Sequence, residues 1–177
     1  MKSAEYSVLI SELEIQRRVA EMGKQISDDY KGQSLTVIGV LKGSFIFIAD
    51  LIRSIDPSVP VEVDFMSVSS YGNSTISSGQ LRIEQDLESA VEGKDILLVE
   101  DIVDSGLTLH AVKELIMSRK PRSLRIAALL EKETSPRPPV SLDYMGFRIP
   151  DVFVVGYGLD FAQHYRNLKE ICVLNAE

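Results

Sequence analysis

Cysteine and histidine are scarce in this sequence. The only cysteine is Cys172, and the only histidines are His110 and His164. A lone cysteine cannot form a disulfide within the chain, and these three residues lack the spacing of a zinc site. A chain without disulfides suits a reducing compartment, so we expect a cytoplasmic location.

Long apolar runs and targeting patterns are also absent. Residues 1–6 show no basic segment followed by an apolar one, and the most apolar stretch, residues 35–55, is interrupted by Lys42, Asp50 and Arg53. A membrane-spanning helix needs about 20 consecutive apolar residues. We therefore expect neither secretion nor contact with a membrane.

Positive charge is in deficit. The chain has 19 lysines and arginines against 26 aspartates and glutamates, which gives a net charge of −7. An acidic chain has no overall field that attracts nucleic acid, so we expect no nucleic-acid partner. Any phosphorylated ligand must be held by a local set of donors or by a metal ion.

Two common nucleotide-binding motifs are missing as well. The chain contains neither G-x-x-x-x-G-K-[ST] nor G-x-G-x-x-G. The first motif binds the phosphates of nucleoside triphosphates, and the second binds dinucleotides. Both ligand classes are therefore disfavoured.

The residues that are present indicate one folded domain over residues 1–177. The chain is 45% apolar and 25% charged, which is the composition of an ordinary globular protein. Apolar runs typical of buried strands alternate with helical patterns, which predicts an α/β fold with a mostly parallel, twisted sheet flanked by helices. The predicted elements are a helix that begins after Ser11, a strand at 35–41, a helix from 43, half-exposed antiparallel strands near 61–65 and 81–84, a strand at 95–99, a helix at 107–119, and strands at 123–130 and 151–155.

Residues 69–79 separate the two half-exposed strands. The segment reads SSYGNSTISSG, which is too rich in glycine and serine to pack in a core. A loop of this length in a compact domain is often functional. We predict a flexible lid over the active site.

The most informative segment is ILLVEDIVDSGLTL, residues 96–109. A predicted strand leads to two carboxylates, Glu100 and Asp101, and then to a tight turn that enters a helix. The N–H groups of a helix N-terminus bind anions, and Gly106 lets the backbone approach a ligand closely. The turn predicts a monophosphate cradle, and the carboxylates predict contacts with a diol or with Mg²⁺. Together these features indicate a sugar phosphate.

The other polar residues of interest also follow predicted strands. Ligands of open α/β sheets bind beyond the carboxyl ends of the strands, so these residues should converge on one rim. They are Lys42 and Gly43, Glu100 and Asp101, residues 104–108, Lys132, Asp160 and Arg166.

Residues 96–109 resemble the signature of the type I phosphoribosyltransferase family. The resemblance covers nearly the whole chain, with matching segments at 41–44, 70–72, 129–132 and 152–160. The last of these is characteristic of enzymes that act on 6-oxopurines. Within the family the chain is similar to the bacterial hypoxanthine (hypoxanthine-guanine) enzymes, which implies their fold, with a small hood above the sheet.

The resemblance implies a purine salvage transferase that requires Mg²⁺. It would move the 5-phosphoribosyl group of 5-phosphoribosyl 1-diphosphate to N9 of hypoxanthine or guanine, giving IMP or GMP and diphosphate. It would form a homodimer or homotetramer. Two alternatives remain, a nucleotide-binding regulator with the same fold and an enzyme that prefers another base, such as xanthine or a pyrimidine. The acidic charge and the filled catalytic positions disfavour the regulator.

Roles on the sugar-phosphate side follow from the same resemblance. Asp104 would be the general base that takes the proton from purine N7. Glu100 and Asp101 would bind the ribose diol and one Mg²⁺, and Asp160 would bind a second Mg²⁺. The 5′-phosphate would lie on Asp104, Ser105, Gly106, Leu107 and Thr108.

The resemblance also assigns the diphosphate and the lid. Lys42 and Gly43 would contact diphosphate through a non-proline cis peptide, and Arg166 would bind it as the leaving group. Ser70 and Tyr71 would close over the reacting groups.

Three further residues would bind the base. Lys132 would donate to purine O6, Phe153 would stack on the ring, and the backbone of Val154 would contact the base edge. Without the resemblance, Phe153 in its apolar run would be interpreted as a core residue.

Overall fold

The computed structural model describes residues 6–70, 81–133 and 140–174. Within these ranges the chain forms three helices and nine strands. In chain order they are β1 (Tyr6–Ile10), α1 (Glu12–Asp29), β2 (Leu35–Leu41), α2 (Phe45–Ser54), β3 (Val61–Ser70), β4 (Leu81–Gln85), β5 (Asp95–Val103), α3 (Leu107–Ser118), β6 (Ser123–Lys132), β7 (Tyr144–Ile149), β8 (Val154–Val155) and β9 (Ile171–Leu174).

Six strands form the main sheet in the order β4-β3-β2-β5-β6-β7. All neighbours are parallel except β4, which pairs with β3 as an antiparallel edge strand. Helices α1 and α2 share one hydrophobic cluster on one face, and α3 belongs to a second cluster on the other. Both faces of the central strands are therefore covered, which explains their nearly continuous apolar sequences. No helix in the described part of the chain is long and apolar enough to cross a membrane.

Helix α1 confirms the predicted start after Ser11. The Ser11 side chain accepts a hydrogen bond from the Glu14 backbone, and the Glu14 carboxylate accepts one from the Ser11 backbone. This reciprocal pair satisfies two N–H groups at the helix N-terminus. The apolar residues of α1 are buried against the sheet at helical spacing, namely Ile15, Val19, Met22 and Ile26.

The antiparallel pairing of β3 with β4 is confirmed, but the predicted lid boundary is wrong. Strand β3 continues through Ser69 and Ser70, whose backbones pair with β4. Cross-strand hydrogen bonds extend the strand into residues that a polar composition assigned to a loop. The remainder of the predicted lid, including Tyr71, lies outside the described residues.

The predicted strand at 151–155 is too long, and its expected place in the parallel sheet is wrong. Only Val154 and Val155 are extended, and they pair antiparallel with β9 in a separate three-stranded sheet, β1-β9-β8. The last parallel strand of the main sheet is instead β7, which sequence reasoning missed. Gly146 makes the sequence of β7 less typical of a strand. The glycine is needed there because a Cβ atom at this position would overlap the backbone of Leu129 on β6.

A buried carboxylate begins β5. Asp95 is only 4% exposed and accepts hydrogen bonds from the Arg122 guanidinium and from Ser123 Oγ at 2.7 Å. The hydrogen bond from Arg122 holds the pKa of Asp95 below its ordinary value, against the opposing effect of burial. The ionised form of Asp95 therefore stabilises the fold at neutral pH.

We expect Asp95→Asn to lower the free energy of unfolding by about 1–3 kcal/mol near pH 7, because it weakens a buried, charge-assisted contact. Since the folded-state pKa of Asp95 is depressed, this stabilisation exists above its unfolded pKa of about 3.9 and disappears as pH falls through the folded value. Urea denaturation at neutral and strongly acidic pH measures the difference. The exposed pair of Asp86 with Arg119 provides a control, Asp86→Asn, with an expected loss below about 1 kcal/mol. An equal loss from Asp95→Asn at both pH values would contradict this account.

Candidate active site

The carboxylates Glu100 and Asp101 lie within β5, not beyond it. The apolar run ends at Val99, but the backbone of β5 stays paired with β6 up to Val103. The predicted strand boundary is wrong because main-chain pairing continues where apolar composition stops. Both side chains nevertheless belong to the carboxyl-terminal end of a central strand, as predicted.

Residues 104–106 connect β5 to α3 in a tight turn. Gly106 is the residue before the first helical turn and has a left-handed φ of 72°, a conformation that favours glycine. It offers no side chain to cap the N–H groups of the first turn. These groups border a cavity of about 110 Å³. Its lining residues are Glu100, Ile102, Val103, Asp104, Ser105, Gly106, Thr108 and Leu109.

The β2–α2 loop packs directly against β5. The peptide bond between Leu41 and Lys42 is cis, as expected for this loop. A Cβ atom on Gly43 would overlap the carboxylate of Asp101, and one on Gly158 would overlap the carbonyl oxygen of Gly43. Three chain segments predicted to share a rim therefore meet in contact.

Glu100 and Asp101 form an electrostatically strained pair. Burial raises the pKa of Glu100 well above its ordinary range, and the adjacent charge of Asp101 raises it further. A divalent cation would relieve this repulsion, and carboxylate oxygens are ligands that suit Mg²⁺. No three acidic, histidine or cysteine side chains in the described ranges converge into a closed metal site. The donor set fits a Mg²⁺ that takes its remaining ligands from a substrate and water.

Lys132, the last residue of β6, lies between two carboxylates. Its Nζ atom is 3.2 Å from Asp104 Oδ2 and 3.1 Å from Asp151 Oδ1. Burial by itself lowers the pKa of Lys132, but the hydrogen bonds to Asp151 and Asp104 outweigh it, and the pKa is raised. Lys132 therefore remains a cation at the rim. It lies beside residues 104–108, which are called the phosphate-loop turn below because the sequence predicts a phosphate site there.

The segment after Gly158 forms a compact polar cluster. Arg166 Nη2 is 2.8 Å from Asp160 Oδ1, and Arg166 Nη1 donates to the Gly158 carbonyl at 2.6 Å. The Gln163 backbone donates to Asp160 Oδ2 at 2.8 Å, and its side-chain oxygen accepts from Arg166 at 3.1 Å. Ala162, Gln163 and Tyr165 all have left-handed φ values, of 50°, 68° and 73°. Such strain is typical of functional segments.

Phe153 is an exposed aromatic residue, not a core residue. Phe153 and Phe161 are 52% and 50% exposed, and their rings meet edge to face with centroids 5.7 Å apart. The Leu174 N–H donates to the Phe153 carbonyl, so Val154 occupies the next, non-hydrogen-bonded position opposite Val173. The N–H and C=O groups of Val154 are therefore directed away from β9.

Comparison with known proteins decides the family. Residues 10–162 match the phosphoribosyl transferase domain family. The chain belongs to this phosphoribosyltransferase family. It is 52% identical over 174 residues to the hypoxanthine-guanine phosphoribosyltransferase of Bacillus subtilis (strain 168), covering 98% of this chain and 96% of that protein.

Two solved structures confirm the phosphoribosyltransferase fold. A hypoxanthine phosphoribosyltransferase from Staphylococcus aureus superimposes with a TM-score of 0.91 at 46% identity, over 96% of this chain and 91% of that chain. A hypoxanthine phosphoribosyl transferase from Trypanosoma cruzi, solved to address the role of its C-terminal region in oligomeric state and activity, gives a TM-score of 0.91 at 45% identity. It covers 99% of this chain and 93% of that chain.

In this phosphoribosyltransferase the structure brings several of the predicted residues into contact in pairs. Contacts join Gly43 to Asp101, Lys132 to Asp104, and Arg166 to Asp160. The side chain of Ser70 and all of Tyr71 lie outside the described residues, so their roles stay predictions.

Sequence reasoning missed three residues at this site, Asp151, Phe161 and Gln163. Asp151 follows a proline and precedes the apolar run, which is typical of an ordinary turn. Phe161 did carry a signal, because a large aromatic residue next to Asp160 and the polar residues 163–166 lies outside any apolar run. Gln163 contacts Asp160 and Arg166 from a left-handed backbone conformation that its residue type does not predict.

Proposed function

We propose that this chain is a purine salvage enzyme that transfers the 5-phosphoribosyl group of 5-phosphoribosyl 1-diphosphate to N9 of hypoxanthine or guanine, giving IMP or GMP and diphosphate. The observation that carries this proposal is the placement of Lys132 and Asp104 in contact, next to the phosphate-loop turn. A cation and a proton acceptor 3.2 Å apart suit the O6 and N7–H edge of a 6-oxopurine. The B. subtilis relative bears a name consistent with this substrate class.

The phosphate-loop turn holds the 5′-phosphate of the ribose. Asp104, Ser105, Gly106, Leu107 and Thr108 supply backbone N–H groups and hydroxyls around the cavity at the start of α3. Glu100 and Asp101 accept hydrogen bonds from the ribose diol, so the sugar lies between the phosphate and the β2–α2 loop.

The diphosphate lies over the β2–α2 loop and the Gly158–Arg166 segment. Lys42 and Gly43 contact its oxygens from one side, and Arg166 binds it from the other. Glu100 and Asp101 would hold one Mg²⁺ and Asp160 a second, each together with substrate oxygens and water. When bound there, Mg²⁺ would supply positive charge to offset the negative charge of the leaving diphosphate.

The base stacks on Phe153 with its 6-oxo edge toward Lys132. The Val154 N–H and C=O groups face away from β9 and contact the base edge. As the C1′–O bond to diphosphate breaks, N9 forms the new bond to C1′. The proton of N7–H passes to the Asp104 carboxylate, so the bound base becomes neutral without a free proton in the site.

The rest of the proposal rests on sequence and relatives. Ser70 and Tyr71 belong to the segment that closes over the reacting groups. The enzyme acts in the cytoplasm as a homodimer or homotetramer, and it binds neither nucleic acid nor membranes.

The direct test is product formation. Purified protein incubated with 5-phosphoribosyl 1-diphosphate and Mg²⁺ should convert hypoxanthine to IMP and guanine to GMP, with diphosphate released in equal amount. Values of kcat/KM for hypoxanthine, guanine and xanthine at fixed Mg²⁺ rank the bases. The absence of product with all three bases would overturn the proposal.

Removing the Arg166 guanidinium should chiefly weaken binding of the diphosphate partner. We expect Arg166→Gln to raise the Kd for Mg²⁺-diphosphate by about ten- to a hundredfold, because a charge-assisted, planar contact is lost. Isothermal titration calorimetry measures this Kd, and thermal unfolding checks that the segment stays folded. Arg119→Gln removes a guanidinium that pairs with Asp86 instead, and it should bind as the wild type does. Unchanged affinity in Arg166→Gln would contradict the assignment.

A further inference from the structure

Asp151 contacts a proposed base-binding residue but has no role in the scheme above. It follows β7, lies two residues before Phe153, and holds Lys132 at 3.1 Å. The Lys132 side chain is only 12% exposed, whereas that of Asp151 is 62% exposed. An ion pair with one partner this exposed contributes little to stability, so a merely structural role explains Asp151 poorly.

Proton transfer changes the charge balance around Lys132. Before the reaction its ammonium faces two carboxylates, Asp104 and Asp151. When Asp104 takes the N7 proton it becomes a neutral acid and no longer balances the ammonium. A largely buried cation needs an anionic partner, and Asp151 is the one that remains.

The number of hydrogen-bond donors on Lys132 supports these different roles for Asp104 and Asp151. An ammonium has three donors and no acceptor. Asp104 and Asp151 each take one, which leaves the third for the O6 atom of a base. Without Asp151 the ammonium would be committed to Asp104 alone, which would make that carboxylate a poorer proton acceptor.

We propose that Asp151 is a positioning residue that holds the Lys132 ammonium at the base site while Asp104 exchanges its contact with Lys132 for the N7 proton. This assignment rests on the proposed function. Asp151 stays paired with Lys132 throughout the reaction, whereas Asp104 gives up its contact with Lys132 when it takes the proton. Loss of Asp151 should therefore affect the reaction of the base and not the binding of 5-phosphoribosyl 1-diphosphate.

Steady-state kinetics of Asp151→Asn test the assignment. We expect kcat/KM for hypoxanthine to fall by about ten- to a hundredfold, with the KM for 5-phosphoribosyl 1-diphosphate within about twofold of the wild type. Asp151→Glu, which restores the charge, should recover part of the loss. The matched control is Glu131→Gln, because Glu131 lies on the same strand as Lys132 and pairs with Arg148 of β7 at 2.7 Å. This control should retain both kinetic parameters.

The outcomes separate this assignment from the function it rests on. An active wild type with an unaffected Asp151→Asn variant overturns the assignment alone. A parallel loss of Tm, base use and diphosphate-substrate affinity in Asp151→Asn also overturns it, since that is the result of a structural defect. A wild type that forms no product with hypoxanthine, guanine or xanthine overturns the proposed function and this assignment with it.

Discussion

Asp104→Asn is expected to lower kcat with hypoxanthine by about 10²- to 10⁴-fold, the usual contribution of a positioned general base. Asparagine keeps the shape of the side chain and an oxygen that accepts a hydrogen bond from Lys132, which lies 3.2 Å away in the wild type. It cannot take the N7 proton. Binding of 5-phosphoribosyl 1-diphosphate should survive, because the backbone N–H groups of the phosphate-loop turn are unchanged. Stopped-time product assays and calorimetric titration of the diphosphate substrate measure the two effects separately.

Two results would argue against Asp104 as the base. Equal loss of turnover and of diphosphate-substrate binding would make Asp104 a structural residue of the turn. Wild-type turnover would show that the N7 proton leaves by another route. Asp86→Asn provides the matched control, since Asp86 pairs with Arg119 on the exposed surface and should not affect either measurement.

Local signals predicted the elements that place the site. The Ser11–Glu14 capping box predicted the start of α1, and the run at residues 35–41 predicted β2 with both of its boundaries. Such signals succeed because they depend on neighbours in the chain. The wrong strand boundaries occur where a distant strand determines the structure of a segment. In β8, for example, two residues form a strand because they pair with β9.

The residues of the site were predictable by type, but their contacts were not. Strand ends placed Lys42, Asp104 and Lys132 at one rim, since parallel strands end at a common edge. The overlap that a side chain on Gly43 would make with Asp101 depends on how two loops pack across β2 and β5. No spacing in the sequence encodes that packing, and the same holds for the contact of Asp151 with Lys132.

The candidate site contains acidic side chains that pair with its cations. The cations Lys132 and Arg166 are each paired within the protein, the first with Asp104 and Asp151 and the second with Asp160. In the proposed function Arg166 binds diphosphate, which must therefore displace Asp160 or share Arg166 with it. Mg²⁺ would allow this sharing, because it binds substrate and carboxylate oxygens together. Under the proposed function, the acidic residues would therefore favour the metal complex of the substrate over the free anion.

Gly43→Ala is expected to lower kcat/KM for 5-phosphoribosyl 1-diphosphate by about 10²-fold, because misplacing a positioning group by about 1 Å has an effect of this size. The backbone of Gly43 is not left-handed, so alanine can adopt its conformation. The new Cβ atom would instead overlap the carboxylate of Asp101 and displace it from the proposed diol and metal site. Thermal stability should change little, since the displaced group is a side chain at the rim.

Gly32→Ala is the matched control, and it should behave in the opposite way. Gly32 has a left-handed φ of 76°, and a Cβ atom added there would have no neighbour within 4 Å, so alanine strains the backbone without touching the site. We expect a loss of about 1 kcal/mol of stability with kcat/KM unchanged. A double-mutant cycle with Asp101→Ala then tests the cause: Gly43→Ala should have little further effect once the Asp101 carboxylate is absent. Full additivity of the two losses would show that Gly43 acts through another contact, such as the one its carbonyl makes beside Gly158.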